Sequence, residues 1–391
     1  MYLNSFQEFT EVLLDEQKTT RDHLKKKVCG NQYSIVGYDK RFYNPTAYDD
    51  SNLFRSVIID NETKGVVCFS PPKSFSLPKG TDISKFYMEE YIEGTMINVF
   101  FNSREGRWEY ATKRTVDSNT KFDNKTKTFR QMFEEALDFL QVNLDLLPTD
   151  ACYSFVLQHP ENRIVNKVET IRLYLIDVFK LWESDRIVYQ LSHPLKPIAG
   201  LEKVEIPKTF LFRNLQEMKQ FLKVQPSTFM GIVLRDDEHM IRYKVKNYHY
   251  ETLKSLRGNS SQLMRRYLQL KKEKKIKKYL LHFPEHENDF KSYQDLFQKY
   301  IDFLLHTYVD TFVKKTKPLE KDTSSLTKTL KQIHWEYRDY LRLHQHIVNQ
   351  TFVYDYFNAY KIHIQEKNLL EFEKMTIDKM TIDKMNMLTI S

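Results

Sequence analysis

Two different hydrophobic patterns divide the chain near residue 250, and this division limits its possible folds more than any other feature. Between about residues 52 and 250, the apolar residues form short runs rich in Val, Ile, Phe and Tyr, which are typical of β-strands. After about residue 250, apolar residues recur at helical spacing over long stretches. The sequence therefore predicts an α+β fold, in which a domain built on antiparallel sheet precedes an all-helical C-terminal domain.

Individual elements follow from the same patterns. One helix is expected within the β-rich region, from Thr128 to Asn143, and another at residues 1–30, where apolar residues recur at helical spacing. The strands are predicted at 56–60, 65–69, 97–101, 152–158, 173–179, 231–236 and 240–246. The C-terminal helices are predicted at about 260–281, 289–315, 323–348 and 350–373.

The predicted domain boundary lies near Gly258. It gives a first domain at 1–255, a helical domain at 256–373 and a tail at 374–391. The tail repeats the sequence Lys-Met-Thr-Ile-Asp, and its five-residue period matches neither a helix nor a strand. A frayed, flexible end is expected there.

Charge and cysteine content narrow the possible partners and compartment. Lys and Arg number 60 against 52 Asp and Glu, and the net charge of +8 suits an anionic partner such as nucleic acid. A Lys-rich, AT-biased genome would give the same balance. The three cysteines stand far apart without zinc-site spacing, which favours a reducing, cytosolic compartment. No run approaches the roughly 20 apolar residues needed to span a bilayer.

Several segments of the first domain have an informative order and spacing. A predicted hairpin brings Arg55 and Lys73 near each other, and a strand, a turn at Gly94 and a second strand follow. Next come a Pro-x-Asn-Arg-Ile-Val segment at 160–165 and a Gly-Ile-Val strand at 231–233. The final strand carries Lys244 and Lys246 on one face.

In this order and spacing, the segments resemble the bacteriophage-type ATP-dependent RNA ligases of the nucleotidyltransferase superfamily, and more closely the ligase-related proteins of large DNA viruses. The resemblance covers about residues 50–255, and the helical C-terminus resembles their appended RNA-binding region. It implies a lysine in a Lys-x-Asp/Glu-Gly motif that attacks ATP to form lysyl-AMP. The AMP would then pass to an RNA 5′-phosphate, and an adjacent 3′-hydroxyl would close the bond.

This sequence departs from the family at the reactive positions. Tyr91 stands three residues before Gly94, where the resemblance places the lysine, and a phenol cannot form the phosphoramidate. Val156 and Met230 stand where the family has metal-associated glutamates, with Gln158 the nearest polar substitute. Because Val and Met supply no oxygen ligands, the sequence argues against magnesium and predicts no metal site.

Cationic positions that hold phosphates in the family are retained, as are two positions near the nucleotide. Phe75 resembles an aromatic residue of the nucleotide pocket and Glu93 an acidic residue that contacts the sugar, next to Gly94. Alternatively, Phe75 is a core residue, Glu93 caps a turn and the cations lie on solvated strands. The predicted phosphate contacts are Arg55, Lys73, Lys113, Lys244 and Lys246.

A basic stretch in the second domain is a candidate RNA contact, with Tyr267 and Tyr279 placed to stack on bases. An ordinary solvated helix face is the alternative. The predicted contacts are Arg265, Arg266, Lys271, Lys272, Lys274, Lys275, Lys277 and Lys278.

The retained cations and the lost lysine favour a pseudoenzyme. Such a protein would bind ATP or GTP, an RNA end or capped RNA without lysyl-AMP chemistry. Two alternatives stay open: an active RNA ligase with a relocated nucleophile, for which Lys79 and Lys85 are the nearest lysines, and a scaffold that holds protein partners through its helical domain.

Overall fold

The computed structural model describes residues 24–42, 53–121, 127–181, 188–190, 198–236, 241–258, 262–319 and 324–388. The chain forms two compact units, Met1–Ser255 and Leu256–Ser391. None of the described helices combines the length and the apolar character that crossing a membrane requires.

The first unit contains the described strands. They are β1 (Leu24–Cys29), β2 (Tyr33–Tyr38), β3 (Val57–Asp60), β4 (Val66–Phe69), β5 (Phe75–Ser76), β6 (Tyr87–Glu90), β7 (Thr95–Asn102), β8 (Arg107–Ala111), β9 (Ala151–Gln158), β10 (Arg172–Leu181), β11 (Val188–Gln190), β12 (Thr209–Phe210), β13 (Gly231–Asp236) and β14 (Ile241–Lys246).

These strands form three sheets. Strands β1 to β4 form a meander in sequence order, and the two five-stranded sheets have the orders β11-β10-β9-β7-β8 and β12-β6-β13-β14-β5. Strand pairs are antiparallel except β14 with β5. One cluster of buried apolar side chains lies between the meander and the sheet that contains β9. Others lie between that sheet and the helix Phe129–Leu140, and between the third sheet and the helix Leu215–Val224.

The described α-helices are α1 (Phe129–Leu140), α2 (Leu215–Val224), α3 (Tyr248–Arg257), α4 (Leu263–Lys272), α5 (Ile276–His282), α6 (Glu287–Tyr308), α7 (Ser325–Glu336), α8 (Gln350–Ala359) and α9 (Ile362–Leu388). Short 3-10 segments are Ile83–Lys85, Leu144–Leu146 and Pro284–His286, and π-helical segments are Val309–Val313 and Tyr337–Leu341.

The α+β fold class is confirmed, and each of the seven predicted strands is present within one or two residues. The predicted helix after Thr128 is also confirmed. The Thr128 side chain accepts a hydrogen bond from the Gln131 N–H, and the Gln131 side chain accepts one from the Thr128 N–H. This capping box fixes the helix start.

The prediction of a helix over residues 1–30 is wrong at its end, since residues 24–29 form strand β1. The rest of that helix lies outside the described residues. Strand β1 pairs with β2 through a turn at Gly30, which has a φ of 63°. Cross-strand pairing therefore outweighs the helical spacing of this short segment.

The second unit departs from the predicted helices in several places. The predicted helix at 350–373 is two helices, α8 and α9, because Tyr360 has an extended ψ of 153°. The predicted helix at 260–281 is two helices, α4 and α5, because Lys274 adopts a left-handed conformation with a φ of 55°. At the other end, α9 continues through the repeated Lys-Met-Thr-Ile-Asp segment to Leu388, where a frayed end was expected. Propagating a helix that is already nucleated adds one hydrogen bond per residue, so the repeat does not need its own nucleus.

Candidate functional site

A cavity of about 180 Å³ lies in the first unit, beside the turn that joins β6 to β7. Strands β9, β10 and β13 and helix α3 also contribute to its wall. Its apolar lining includes Ile92, Met96 and Ile176, while Arg55 and Ser74 lie on its polar side. Polar and charged side chains form at least as much of the lining as apolar ones, and glutamates are among them. A concave site where polar groups converge is typical of small-molecule binding.

Tyr91 and Gly94 occupy the turn at this cavity. The Tyr91 N–H donates to the Gly231 carbonyl oxygen at 2.9 Å, which fixes the turn to the start of β13. Gly94 has a φ of 156°, and a Cβ at this position would lie 2.4 Å from the Val156 Cγ1 and 2.6 Å from the Leu157 carbonyl oxygen. Only glycine fits here without displacing β9.

Glu93 is bound within the protein. Its carboxylate accepts hydrogen bonds from the Asn166 N–H at 3.2 Å, the Asn166 Nδ2 at 2.9 Å and the Tyr250 hydroxyl at 3.0 Å. Burial and the negative charge of Glu93 raise the pKa of Tyr250, so the phenol remains a donor. Glu93 thus connects the turn to α3 and to the segment after β9.

The two positions where the resemblance places metal-associated glutamates offer no ligand for magnesium, and the carboxylates of the lining belong to Glu89, Glu90 and Glu93. Val156 and Met230 both line the cavity, and neither side chain has an oxygen atom. Glu89 also lines it, but two arginines occupy that carboxylate. Within the part of the chain that the structure describes, no group of three or more His, Cys, Asp or Glu side chains is placed to hold a metal ion.

Four of the predicted phosphate contacts lie near one another and act on one another electrostatically. Burial, together with the charges of Lys244, Arg55 and Lys113, lowers the pKa of Lys73 to about 7. Burial and Arg55 lower the pKa of Lys113 to about 7. Burial and Lys246 lower the pKa of Lys244 to about 8. Because these cations repel one another, an anion placed among them would be strongly attracted.

The predicted contact residues Lys244, Lys246 and Phe75 each have partners within the protein. The Lys244 Nζ donates to the Ser74 carbonyl oxygen at 2.8 Å, at the edge of the cavity. Lys246 forms an ion pair with Glu251 at 2.5 Å. Phe75 is only 3% exposed and packs against Tyr243 with ring centroids 6.4 Å apart. The residues that line the cavity do not include Phe75.

A buried ring of four charges was missed by the sequence reasoning. Glu89 on β6 and Asp177 on β10 each accept hydrogen bonds from both Arg235 and Arg242. Arg235 and Arg242 stand opposite each other on paired strands, which is unfavourable for like charges unless carboxylates lie between them. That cross-strand pair was the available signal. The ring joins the two five-stranded sheets, and Glu89 and Arg242 line the cavity.

The basic stretch of the second unit has two faces. Arg266 is buried and donates to the Leu256 carbonyl oxygen, and the Lys271 Nζ lies 2.9 Å from the Phe297 ring centroid. Tyr267 and Tyr279 are 2% and 1% exposed, so the prediction that they stack on bases is wrong.

The other cations of this stretch are at least partly exposed. Arg265 pairs with Glu366, Lys272 donates to the Tyr360 carbonyl oxygen and Lys275 pairs with Glu273. The exposed lysines are Lys272, Lys274, Lys275, Lys277 and Lys278.

No family model matches the chain. The chain is 25% identical over 242 residues to the Immediate-early protein ICP-46 homolog of Invertebrate iridescent virus 3. The matched region is 59% of this chain and 51% of that protein, so the chain spans about half of its relative's length.

Two solved structures resemble the chain weakly. A putative ATP-dependent DNA ligase from Aquifex aeolicus has a TM-score of 0.39 and 13% identity, over 86% of this chain and 99% of the ligase. An archaeal ATP-dependent RNA ligase has a TM-score of 0.36 and 12% identity, over 68% of each chain. The structural neighbours are thus ATP-dependent ligases and the sequence relative is a viral protein, but likenesses this weak assign no function to this chain.

Proposed function

We propose that the first unit binds a nucleotide that carries phosphate groups. The ligand would be ATP, GTP or the end of an RNA chain, with its base in the cavity and its phosphates on the adjoining cations. The observation that carries this proposal is the crowding of Arg55, Lys73, Lys113 and Lys244 around a cavity that Arg55 itself lines. Burying like charges together is unfavourable, and an anionic ligand relieves it.

The binding function does not require covalent chemistry at residue 91. Tyr91 lines the cavity at the position where the ligase family has its lysine, and its phenol lacks the amine that forms a phosphoramidate. We therefore propose a ligase-like protein that recognises nucleotides or RNA without forming lysyl-AMP. A cytosolic location belongs to the same proposal, because the free thiols of Cys29, Cys68 and Cys152 suit a reducing compartment.

A second candidate function is nucleotidyl transfer through another lysine, and one observation favours it. Lys254 on α3 lines the same cavity as Tyr91, whereas Lys79 and Lys85 are exposed and do not line it. In this reaction the neutral amine of Lys254 would attack the α-phosphorus of ATP. A P–N bond would form, pyrophosphate would leave and the amine would lose a proton.

One experiment separates the two functions. The purified protein, Lys254→Ala and Tyr91→Lys are incubated with α-labelled ATP or GTP, with and without magnesium, and run on a denaturing gel. ATP binding is measured in parallel by calorimetry. Binding without a covalent label on the natural protein supports recognition alone. A label that is lost in Lys254→Ala shows transfer through that lysine.

Binding itself is tested with a matched pair of variants. Lys73→Ser/Lys244→Ser removes two cations beside the cavity, and Lys79→Ser/Lys85→Ser removes two exposed lysines of the same unit. We expect at least a tenfold loss of ATP affinity in the first and little change in the second, because charge-assisted bonds to phosphate contribute about 1.5–3 kcal/mol each. Equal affinities for both variants would contradict the proposed site.

A further inference from the structure

A basic groove of about 470 Å³ runs beside the phosphate-facing cations of the first unit. Strand β1, the end of β2 and the segment after β8 form its walls. Seven of its lining side chains are Lys or Arg, and one, Asp39, is a carboxylate. This groove was not identified from the sequence, because its cations come from four separate segments of the chain.

The single carboxylate of the groove is already occupied. Asp39 forms ion pairs with Arg41 at 2.6 Å and with Lys25 at 3.3 Å. The hydrogen bonds from Arg41 hold the pKa of Asp39 well below its usual range, so this carboxylate stays ionised. The other five cations therefore have no carboxylate within the groove lining to balance them, and their field selects an anion.

Several groove cations are held in place before any ligand arrives. The Lys27 Nζ donates to the Arg114 carbonyl oxygen at 2.9 Å, which ties β1 to the segment after β8. The Lys113 Nζ makes two contacts with Tyr38: it lies 4.1 Å from the ring centroid and donates a hydrogen bond to the hydroxyl oxygen at 2.7 Å. Cations fixed in this way lose less side-chain entropy on binding an anion.

The groove shares one lining residue with the nucleotide cavity and another with a further depression. Arg55 lines both the basic groove and the cavity. Lys27 lines both the basic groove and a further depression of about 600 Å³, whose wall includes Asn31, Gln32 and Asn119. A ligand that spans the three depressions would pass from a cavity of mixed lining, through strongly cationic surroundings, to a depression where charges of both signs are present. In that depression, Lys27 and Arg107 stand against Glu109 and Asp117.

We propose that this path binds the phosphodiester backbone of a single-stranded RNA whose terminal nucleotide lies in the cavity. The inference rests on the proposed function and names its ligand as a polynucleotide rather than a free nucleotide. Lys25 and Lys27 on β1 are two residues, or about 7 Å, apart on one face of the strand, so they can contact different phosphates of one backbone. A duplex needs a longer and wider surface, since its recognition spans about 16 base pairs.

The test measures binding of fluorescent 5′-phosphorylated RNAs of two and ten nucleotides and of ATP to the full chain at several salt concentrations. Lys25→Ser/Lys27→Ser/Lys40→Ser removes three groove cations. Lys79→Ser/Lys85→Ser/Lys219→Ser, all exposed and outside the groove, makes the same change of charge. Thermal unfolding checks that each variant is folded.

We expect the natural protein to bind the ten-nucleotide RNA more tightly than the two-nucleotide RNA. In the groove variant, the salt slope for the longer RNA should fall by about 2, because each phosphate contact with a single strand contributes about 0.7. Its affinity for ATP should match that of the control variant. If the groove variant does not fold, Lys25→Gln/Lys40→Gln replaces it in the test. This variant keeps the hydrogen bond from Lys27 to the Arg114 carbonyl oxygen, and its salt slope should fall by about 1.

Two results would overturn the inference: equal affinity for both RNA lengths, or a groove variant with the slope of the control. Failure of the proposed function is distinguishable, because it shows as unchanged ATP binding in Lys73→Ser/Lys244→Ser. An RNA duplex bound as tightly as the single strand, with the same loss in the groove variant, would also overturn the choice of a single strand.

Discussion

At the scale of single residues, the lowered pKa values of three lysines connect anion binding to pH. Lys73 and Lys113 have pKa values of about 7 and Lys244 of about 8. All three are therefore mostly charged below about pH 6 and mostly neutral above about pH 9. An anion binds the protonated forms, so its binding must be accompanied by proton uptake in this range.

We predict that ATP affinity falls as the pH rises from about 6.5 to 8.5. The phosphate groups of ATP lose their last proton mainly near pH 6. Over most of this range, the change in affinity therefore comes from the lysines of the protein. Calorimetry in buffers of different ionisation enthalpy measures both the affinity and the protons taken up. Because arginine stays charged, Lys73→Arg should reduce the pH dependence. An affinity that is constant over this range would disprove the connection.

The buried charge ring gives a second prediction at this scale. Removing Asp177 leaves Arg242 and Arg235 with one carboxylate between them in a site where the Arg235 side chain is 1% exposed. We expect Asp177→Ala to lower the free energy of unfolding by about 3–5 kcal/mol, because an uncompensated charge would remain buried.

Asp150→Ala is the matched control for this variant. Asp150 forms an ion pair with Lys180 at 2.9 Å, but the Asp150 side chain is 52% exposed and the Lys180 side chain is 35% exposed. Its loss should lower the free energy of unfolding by less than about 1 kcal/mol. Denaturant titration measures both values, and similar losses for the two variants would show that the ring is not the buried unit described here.

At the scale of elements, short segments were predicted least well from their own residues. The spacing of apolar residues favoured a helix up to residue 30, but pairing with β2 makes residues 24–29 a strand. In contrast, the helix after Thr128 was predicted well, since its cap and its apolar stripe act within one segment. Local signals decide a structure only where no partner segment competes.

The break between α4 and α5 can be tested by one substitution. Lys274 has a φ of 55°, a conformation that glycine adopts without penalty. We expect Lys274→Gly to raise the free energy of unfolding by about 1 kcal/mol. If residues 260–281 were one continuous helix, the same change would lower it by about 1 kcal/mol. Lys278→Gly, inside α5, should lower it and serves as the control, with denaturant titration as the measurement.

At the scale of the whole molecule, the two units carry separate basic surfaces. Cations near the cavity belong to the first unit, and the exposed lysines around α5 belong to the second. If both surfaces contact RNA, their contributions to counterion release should be independent of each other. Nucleotide binding, in contrast, should depend on the first unit alone.

We predict that Lys274→Ser/Lys277→Ser/Lys278→Ser lowers the salt slope of RNA binding by about 2 and leaves ATP binding unchanged. The control variant, Lys299→Ser/Lys328→Ser/Lys331→Ser, removes exposed lysines of the same unit and should keep the natural slope. Fluorescence anisotropy at several salt concentrations measures both. A slope unchanged by the first variant would show that this basic surface faces only solvent.

The sequence by itself determined the α+β class, the positions of the seven principal strands and the absence of a lysine at residue 91. These features depend on local alternation of side chains or on residue identity, which the sequence contains directly. It also placed Arg55, Lys73, Lys113 and Lys244 as candidates, but gave no information on how strongly they interact.

Only the tertiary structure decided which charges are compensated and which are not. Glu89 and Asp177 are far in sequence from Arg235 and Arg242 and neutralise them. In contrast, cations from four segments gather around the basic groove with a single carboxylate. Burial and distance set the strength of these interactions. Both quantities arise only when sheets from distant parts of the chain pack together.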